Sequence, residues 1–271
     1  MSLLRTPARL HVNGVALWSQ RLPGWERARR ILAGAEPAPT ELAPRPAPEL
    51  LPPTERRRAP DTVSVALEAA LSACRFAGLD PKSLPSVFSS MHGDLAITDY
   101  MCATMASTPA LVSPTKFHNS VHNAAAGYWT IAADCTRPYT SLSAGEQSFG
   151  AGLLETCVQA LAGRENVLLV AYDIDARGPL GPVASSKGLL SVALIVSPEP
   201  GPAALAQFDL DVVSGAGQVA SRARPANAAL VAGNSTESCL PFVEALALGG
   251  PHELLVLATP TLGLKIRMRP A

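Results

Sequence analysis

The sequence lacks several features that would place it in a large functional class. It has no basic surplus, because 22 Lys and Arg residues balance 22 Asp and Glu residues and the formal net charge is zero. Proteins that bind nucleic acid through its phosphates usually carry excess positive charge, so this chain is not expected to bind nucleic acid.

Cysteine pairs are missing as well. The chain has five cysteines, an odd number, and no CxxC motif, which argues against a disulfide framework and against a thiolate zinc site. Their apolar surroundings predict buried, unreactive thiols. The five are Cys74, Cys102, Cys135, Cys157 and Cys239.

Long hydrophobic runs are also absent. The longest, 188–196, is far shorter than the roughly 20 residues that a membrane helix needs. Residues 1–14 contain no apolar stretch long enough for a signal peptide. These absences predict a soluble, cytoplasmic protein without membrane insertion. The composition, 48% hydrophobic and 16% charged, is typical of a globular chain with a substantial core.

Apolar runs with strand character alternate with segments of helical periodicity. Strands are predicted at 10–18, 85–90, 139–142, 167–172, 188–196, 206–213, 253–259 and 264–268. Helices are predicted at 25–33, 63–77, 98–106, 124–133, 147–162 and 237–248. Asp61 is a candidate N-cap and Gly78 a candidate C-terminal stop. The order predicts an α/β fold in which a mixed, mostly parallel sheet carries helices on both faces.

Residues 36–60 differ from the rest of the chain because prolines recur throughout them. Neither a helix nor a central strand tolerates that density, so an extended surface segment is predicted. Arg56, Arg57 and Arg58 lie at its end. They are either a solvated charge run or a contact for an acidic partner.

Two stretches carry a resemblance to a known family: SPTKFHNSVHNAAAGYW at 113–129 and PYTSLSAGEQSFGAGLLE at 138–155. They are similar to the β-ketoacyl synthase-like N-terminal family, which includes the small chain-length-factor-type subunits of type II polyketide and aryl polyene systems. LHVNGVALWS, ALEAALSACRFAGLDP, VLLVAYD and SKGLLSVALIV resemble further ketosynthase elements. The resemblance implies a single thiolase-like layered domain over residues 1–271, with its second half truncated. It also implies a short C-terminal βαββ extension at 203–271.

The resemblance places a leucine where active ketosynthases hold their nucleophile. In those enzymes a cysteine lies at a strand-to-helix corner, where backbone amides and the helix N-terminus lower its thiol pKa. The corresponding position here is Leu142, which cannot attack a thioester, and a shift of one residue gives Ser141 or Ser143. The downstream histidine segments of active ketosynthases are missing, since His252 is the only histidine beyond residue 122.

These departures imply a non-catalytic subunit that pairs with an active β-ketoacyl-ACP synthase as a heterodimer and helps shape its acyl tunnel. The substrate would be an acyl chain on an acyl carrier protein, an acidic partner for which Arg56 to Arg58 are candidate contacts. The resemblance implies no cofactor and no metal. The expected tunnel and interface residues are Phe117, His118, Asn119, His122, Asn123, Trp129, Leu142 and Phe149.

Three other interpretations remain open. Ser143 follows a strand as the serine of a nucleophile elbow does, which would suit a serine hydrolase or acyltransferase. Its base would be His118, His122 or His252, oriented by Asp134 or Asp173. A stand-alone homodimeric condensing enzyme that uses one of the cysteines is the second. In the third, a metal binds to His118 and His122 on one helix face, or to Asp173 and Asp175 after a strand. More commonly, carboxylates such as Asp173 and Asp175 cap a loop or form an ion pair with a nearby arginine, here Arg177.

Overall fold

The structure is a computed structural model that describes residues 7–271. The first six residues of the segment inspected for a signal peptide lie outside the described residues. The strands are β1 Ala8–Ser19, β2 Ser86–Ser89, β3 Tyr139–Leu142, β4 Val167–Asp173, β5 Leu190–Ser197, β6 Ala206–Ser214, β7 His252–Thr259 and β8 Leu262–Pro270. The α-helices are α1 Trp25–Leu32, α2 Pro53–Arg58, α3 Asp61–Ala77, α4 Leu95–Ser107, α5 Pro114–Asn119, α6 Ala124–Ala132, α7 Ser148–Gly163, α8 Pro225–Ala228 and α9 Leu240–Leu248.

All eight strands join one sheet in the order β3-β2-β4-β5-β1-β6-β8-β7. The sheet is mixed, as predicted, but the expectation of a mostly parallel sheet is wrong. Only β2–β3 and β2–β4 are parallel, and the other pairs are antiparallel. The reason is connectivity, because parallel neighbours need a long crossover. Helices connect β2 to β3 and β3 to β4, whereas the link from β4 to β5 contains no helix.

The sheet separates two hydrophobic cores, which confirms helices on both faces. The first core packs α1, α7 and α9 against one face, and the second packs α3 and α6 against the other. Strand β4 shows the alternation that this requires: Leu169 and Ala171 enter the first core, while Val170 and Tyr172 enter the second. Side chains that alternate into two dry faces explain why β4 has a continuous apolar sequence.

The proline-rich segment is extended, except that α2 forms at its end. The prediction that no helix occurs there is therefore wrong. Pro53 is the first residue of α2, a position where a missing N–H costs nothing. Asp61 is the first helical residue of α3 rather than its cap, which is Pro60. Gly78 ends α3 with a φ of 66°, as predicted.

Two local expectations change with the observed boundaries. The segment 114–132 forms two helices separated by Ser120–Asn123, so His118 on α5 and His122 in the linker do not share one helix face. Cys102 is exposed on α4, which contradicts the prediction that all five thiols are buried. The other four cysteines are buried, and burial raises the pKa of the Cys74 thiol to about 12.

Two further predictions concern membrane insertion and domain organisation. Within residues 7–271, no helix has both the length and the apolar character needed to cross a bilayer. The segment 203–271 supplies β6, α8, α9, β7 and β8. The division into one domain and a C-terminal extension stays a prediction.

Candidate functional site

The corner between β3 and α7 has the strand–turn–helix geometry that the sequence predicts. β3 ends at Leu142 and α7 begins at Ser148. Gly145, with a φ of 59°, makes the sharp turn between them. Ser148 Oγ accepts a hydrogen bond from Ala144 N at 3.0 Å and donates one to Gly145 O at 2.6 Å. The helix therefore begins at a turn that its own first residue stabilises.

The pleat of β3 sends consecutive side chains to opposite faces of the sheet. Thr140 faces α7, since its Oγ1 accepts from Gln159 Nε2 at 2.9 Å. Leu142 packs against the first core, which contains Phe149. The Leu142 side chain thus points into apolar packing on the α7 side.

The opposite side of β3 carries three side chains with a hydroxyl group: Tyr139, Ser141 and Ser143. Asn123 Nδ2 donates to the Tyr139 hydroxyl at 3.0 Å. Ser141 Oγ lies 3.1 Å from His122 Nδ1. The linker between α5 and α6 is therefore held against β3 by hydrogen bonds.

Ser143 has a different partner from the one that the hydrolase interpretation needs. Its hydroxyl donates to Met91 O at 2.9 Å. No hydrogen bond joins Ser143 to a histidine in the described chain: His118 packs edge-on against Tyr128, and His252 Nε2 contacts Gly249 O. His122 meets Ser141 instead. The sequence had placed both serines at the corner but could not show which one faces a base.

The two candidate orienting acids are engaged elsewhere. Asp134 is exposed and forms an ion pair with Lys82. Asp173 is buried at the end of β4, where it accepts hydrogen bonds from Ser90 Oγ, Met91 N and Thr236 Oγ1. Burial raises the pKa of the Asp173 carboxyl, and the three donors oppose that rise.

The interpretations of the acids as metal ligands find no support in these contacts. Asp175 accepts from Gly188 N at 2.7 Å and so caps a loop. Among residues 7–271, no group of three His, Cys, Asp or Glu side chains is arranged to hold a metal ion.

The remaining expected interface residues divide by exposure. Phe117 and His118 are exposed on α5, whereas Asn119 is buried beside them. Trp129 and Phe149 are completely buried, in the second and first cores respectively. Their contribution to a tunnel or an interface stays a prediction.

Strand β3 lies at one end of the sheet, and no strand within residues 7–271 pairs with its outer edge. Exposed apolar side chains occur on the elements around this strand; we call them the β3 flank. They are Phe117, Val121, Ile131, Tyr139, Val158 and Leu161. Ile131 is the most exposed of them, at 78%. Exposed apolar side chains beside an unpaired strand edge are typical of a protein interface.

A cleft of about 990 Å³ lies on the other side of the corner, and sequence reasoning missed it. Met91, Glu146 and Gln147 line it from the corner, and Ser238 and Leu257 line it from the C-terminal segment. These residues are far apart in the chain, so no local pattern could have predicted that they share a cavity.

Comparison with known proteins identifies the fold. Searching curated proteins finds no match. Among solved structures, a ketosynthase (ApeO) in complex with its chain length factor (ApeC) from Xenorhabdus doucetiae matches with 22% identity and a TM-score of 0.70. That match covers 95% of this chain and 98% of the other. The ishigamide ketosynthase/chain length factor matches with 16% identity and a TM-score of 0.70, over 97% and 99% of the two chains.

A third solved structure is a complex called AntDE:AntF, a type II PKS acyl-carrier protein with its ketosynthase bound to the hexaketide. It matches with 9% identity and a TM-score of 0.74, over 98% of this chain and 100% of the other. These likenesses show a thiolase-like α/β fold of the kind found in ketosynthases. The model of the family described as β-ketoacyl synthase, N-terminal domain, matches residues 25–247. Since that range is most of the chain, the protein belongs to the β-ketoacyl synthase N-terminal domain family.

Proposed function

We propose that this protein is a non-catalytic, chain-length-factor-type subunit that pairs with an active β-ketoacyl-ACP synthase. It helps to shape the partner's acyl tunnel in type II polyketide or fatty-acid-like biosynthesis, of which aryl polyene synthesis is one case. The observation that carries the proposal is Leu142, an apolar side chain packed against the core at the corner where condensing relatives have a thiol.

Cys135 and Cys157, which lie on either side of the corner in the chain, are poorly suited to replace the missing nucleophile. Cys157 on α7 is completely buried, and burial raises the pKa of its thiol. Cys135 is buried and donates to Leu84 O at 3.5 Å. A nucleophilic thiol needs the thiolate form and access to its substrate. The burial of these two thiols favours a supporting subunit over a stand-alone condensing enzyme.

The pairing surface follows from the position of β3. An unpaired strand edge offers backbone N–H and C=O groups to a second chain, and the β3 flank offers apolar area beside them. The similar structures from Xenorhabdus doucetiae and the ishigamide system are ketosynthases with chain length factors. We infer that an active ketosynthase covers this surface here as well.

A carrier protein is the second proposed partner. One similar structure contains a type II PKS acyl-carrier protein. Arg56 is engaged within the chain, because its guanidinium donates to Leu51 O at 2.9 Å. Arg57 and Arg58 are exposed on α2 and form no ion pair with the described residues. These two cations are the better candidates for contact with an acidic carrier protein.

The test is co-expression with a ketosynthase from the same gene neighbourhood, followed by size-exclusion chromatography. We expect the wild-type chain to co-elute with that ketosynthase. Val158→Glu and Ile131→Glu place a charge in the β3 flank and should abolish co-elution, because burying an unpaired carboxylate is costly. Val219→Glu is the matched control, since Val219 is an exposed valine outside the β3 flank and should leave pairing intact. A wild-type chain that never pairs would overturn the proposal, as would flank variants that pair normally.

A further inference from the structure

Ser141 and His122 form a hydrogen-bonded pair whose proton positions follow from their surroundings. His122 Nε2 lies 2.9 Å from the carbonyl oxygen of Ser90, and His122 Nδ1 lies 3.1 Å from Ser141 Oγ. A carbonyl oxygen only accepts, so Nε2 carries a hydrogen. In neutral imidazole the other nitrogen is then an acceptor, and the Ser141 hydroxyl must donate to it. The serine proton therefore points at a base.

The imidazole is held at both ends. Ser90, whose carbonyl fixes one nitrogen, is itself buried, and its hydroxyl donates to the buried carboxyl of Asp173 at 2.7 Å. Gly93 N donates to the same hydroxyl oxygen at 2.9 Å. The group that orients His122 is thus fixed by a hydrogen-bonded network, in the way that a third residue orients the histidine of a nucleophile–base pair.

We propose that Ser141 is an acyl acceptor, with His122 as its general base. In the acylation step Ser141 Oγ forms a bond to the acyl carbonyl carbon as His122 Nδ1 takes the hydroxyl proton. The carbon–sulfur bond of a thioester donor then breaks, and the departing thiolate receives the proton from His122. Water then attacks the acyl carbon as His122 Nδ1 takes one of its protons. The bond between that carbon and Ser141 Oγ breaks, His122 returns the proton to Ser141 Oγ, and the carboxylic acid leaves. This activity goes beyond the proposed pairing role and does not involve condensation.

The surroundings of His122 select the class of donor. A carbonyl dipole, rather than a carboxylate, faces Nε2, so the imidazolium formed during attack is stabilised less than in a Ser–His–Asp triad. Such a base suits donors with a good leaving group. Thiols, with a pKa of about 8.5, leave far more readily than amines. The geometry therefore favours acyl thioesters over amides or peptides.

Ser143 supplies an internal control. It lies on the same side of β3, two residues away, and is more exposed than Ser141. Its hydroxyl donates to the Met91 carbonyl, however, and a carbonyl oxygen is not a base for proton transfer. If exposure alone governed reactivity, Ser143 would react first; if the base governs it, Ser141 reacts.

The experiment treats the full chain with a fluorophosphonate probe and, separately, with an acyl-N-acetylcysteamine thioester, and locates the adduct by peptide mass spectrometry. We expect the adduct on Ser141. Ser141→Ala should abolish it and Ser143→Ala should retain it. His122→Gln should slow it by about 100-fold or more, the usual contribution of a general base. Circular dichroism establishes that each variant is folded.

An adduct on Ser143, an unmodified wild-type chain, or equal labelling of folded His122→Gln would each overturn the inference. Labelling is measured on the isolated chain, so its failure leaves pairing with a ketosynthase untouched. Loss of co-elution, conversely, would not alter the labelling result.

Discussion

At the scale of single residues, the orientation of Leu142 decides which chemistry the corner can perform. Its side chain packs against the first core, while the nearest histidine bonds Ser141 on the opposite side of β3. A thiol introduced at this position would face α7, away from His122. A thiol at residue 142 would therefore have no hydrogen bond to the His122 imidazole, which lies on the other side of β3.

Leu142→Cys should accordingly leave the chain without condensing activity. We expect no product when the variant is paired with a ketosynthase whose own cysteine is replaced, assayed with acyl and malonyl carrier protein. The smaller side chain should also lower the free energy of unfolding by about 1 kcal/mol, measured by urea titration. The wild-type chain with the same inactivated partner is the control. Turnover above that control would contradict the argument.

Asp173 gives a pH-dependent prediction at the same scale. Burial raises its pKa in the folded chain, so the folded state holds the proton more tightly than the unfolded state. The contribution of this carboxyl is therefore most favourable below its ordinary pKa of 3.8 and is lost as pH rises through the folded value. Asp173→Asn cannot titrate, so its stability should fall less between pH 4 and pH 7 than that of the wild-type chain.

Urea unfolding of both proteins across this pH range measures the difference. Taking the difference cancels titrations that the two proteins share, including the other buried acids. The near-ultraviolet circular dichroism of the variant checks that the network around Ser90 still forms. Equal pH dependence of the two proteins would show that Asp173 does not titrate differently on folding.

At the scale of elements, periodicity and composition predicted where each strand lies along the chain better than they predicted how the strands pair in the sheet. The observed β3 coincides with its prediction, and β4 differs from it by one residue. Strand direction was predicted wrongly, because an apolar run such as β4 looks the same with parallel or antiparallel partners. The interpretation that placed His118 and His122 on one helix face also missed the break at 120–123. Apolar spacing continues through it, and only the tertiary contacts of His122 with Ser90 and Ser141 show why the chain departs from a helix.

The site was predictable in part for similar reasons. The motif at 138–155 placed Leu142 at a strand-to-helix corner, as the structure shows. It could not show that Ser141 and Ser143 have different partners, because those come from the distant residues His122 and Met91. The cleft could not be predicted either, because its lining residues are far apart in the chain.

At the scale of the whole molecule, β1 connects the two ends of the described chain. It pairs with β5 over most of its length and with β6 at its beginning. A second connection lies on α1, where the Leu32 carbonyl accepts from Arg224 and from Asn227. Glu244 on α9 is buried and accepts from the same two side chains. The C-terminal segment is thus integrated into the first core.

This integration predicts a single cooperative unfolding transition. Trp25 belongs to the first core, and Trp18 and Trp129 belong to the second. Variants in which Trp18 is replaced and either Trp25 or Trp129 is kept as the single tryptophan therefore report on opposite faces of the sheet. Their urea midpoints should coincide, as two-state unfolding requires. Glu244→Ala should lower the unfolding free energy by about 1–3 kcal/mol, because it leaves buried donors unpaired, and should shift both probes equally. Separate midpoints, or a shift confined to Trp25, would mean that the two cores unfold independently, which would contradict a single cooperative transition.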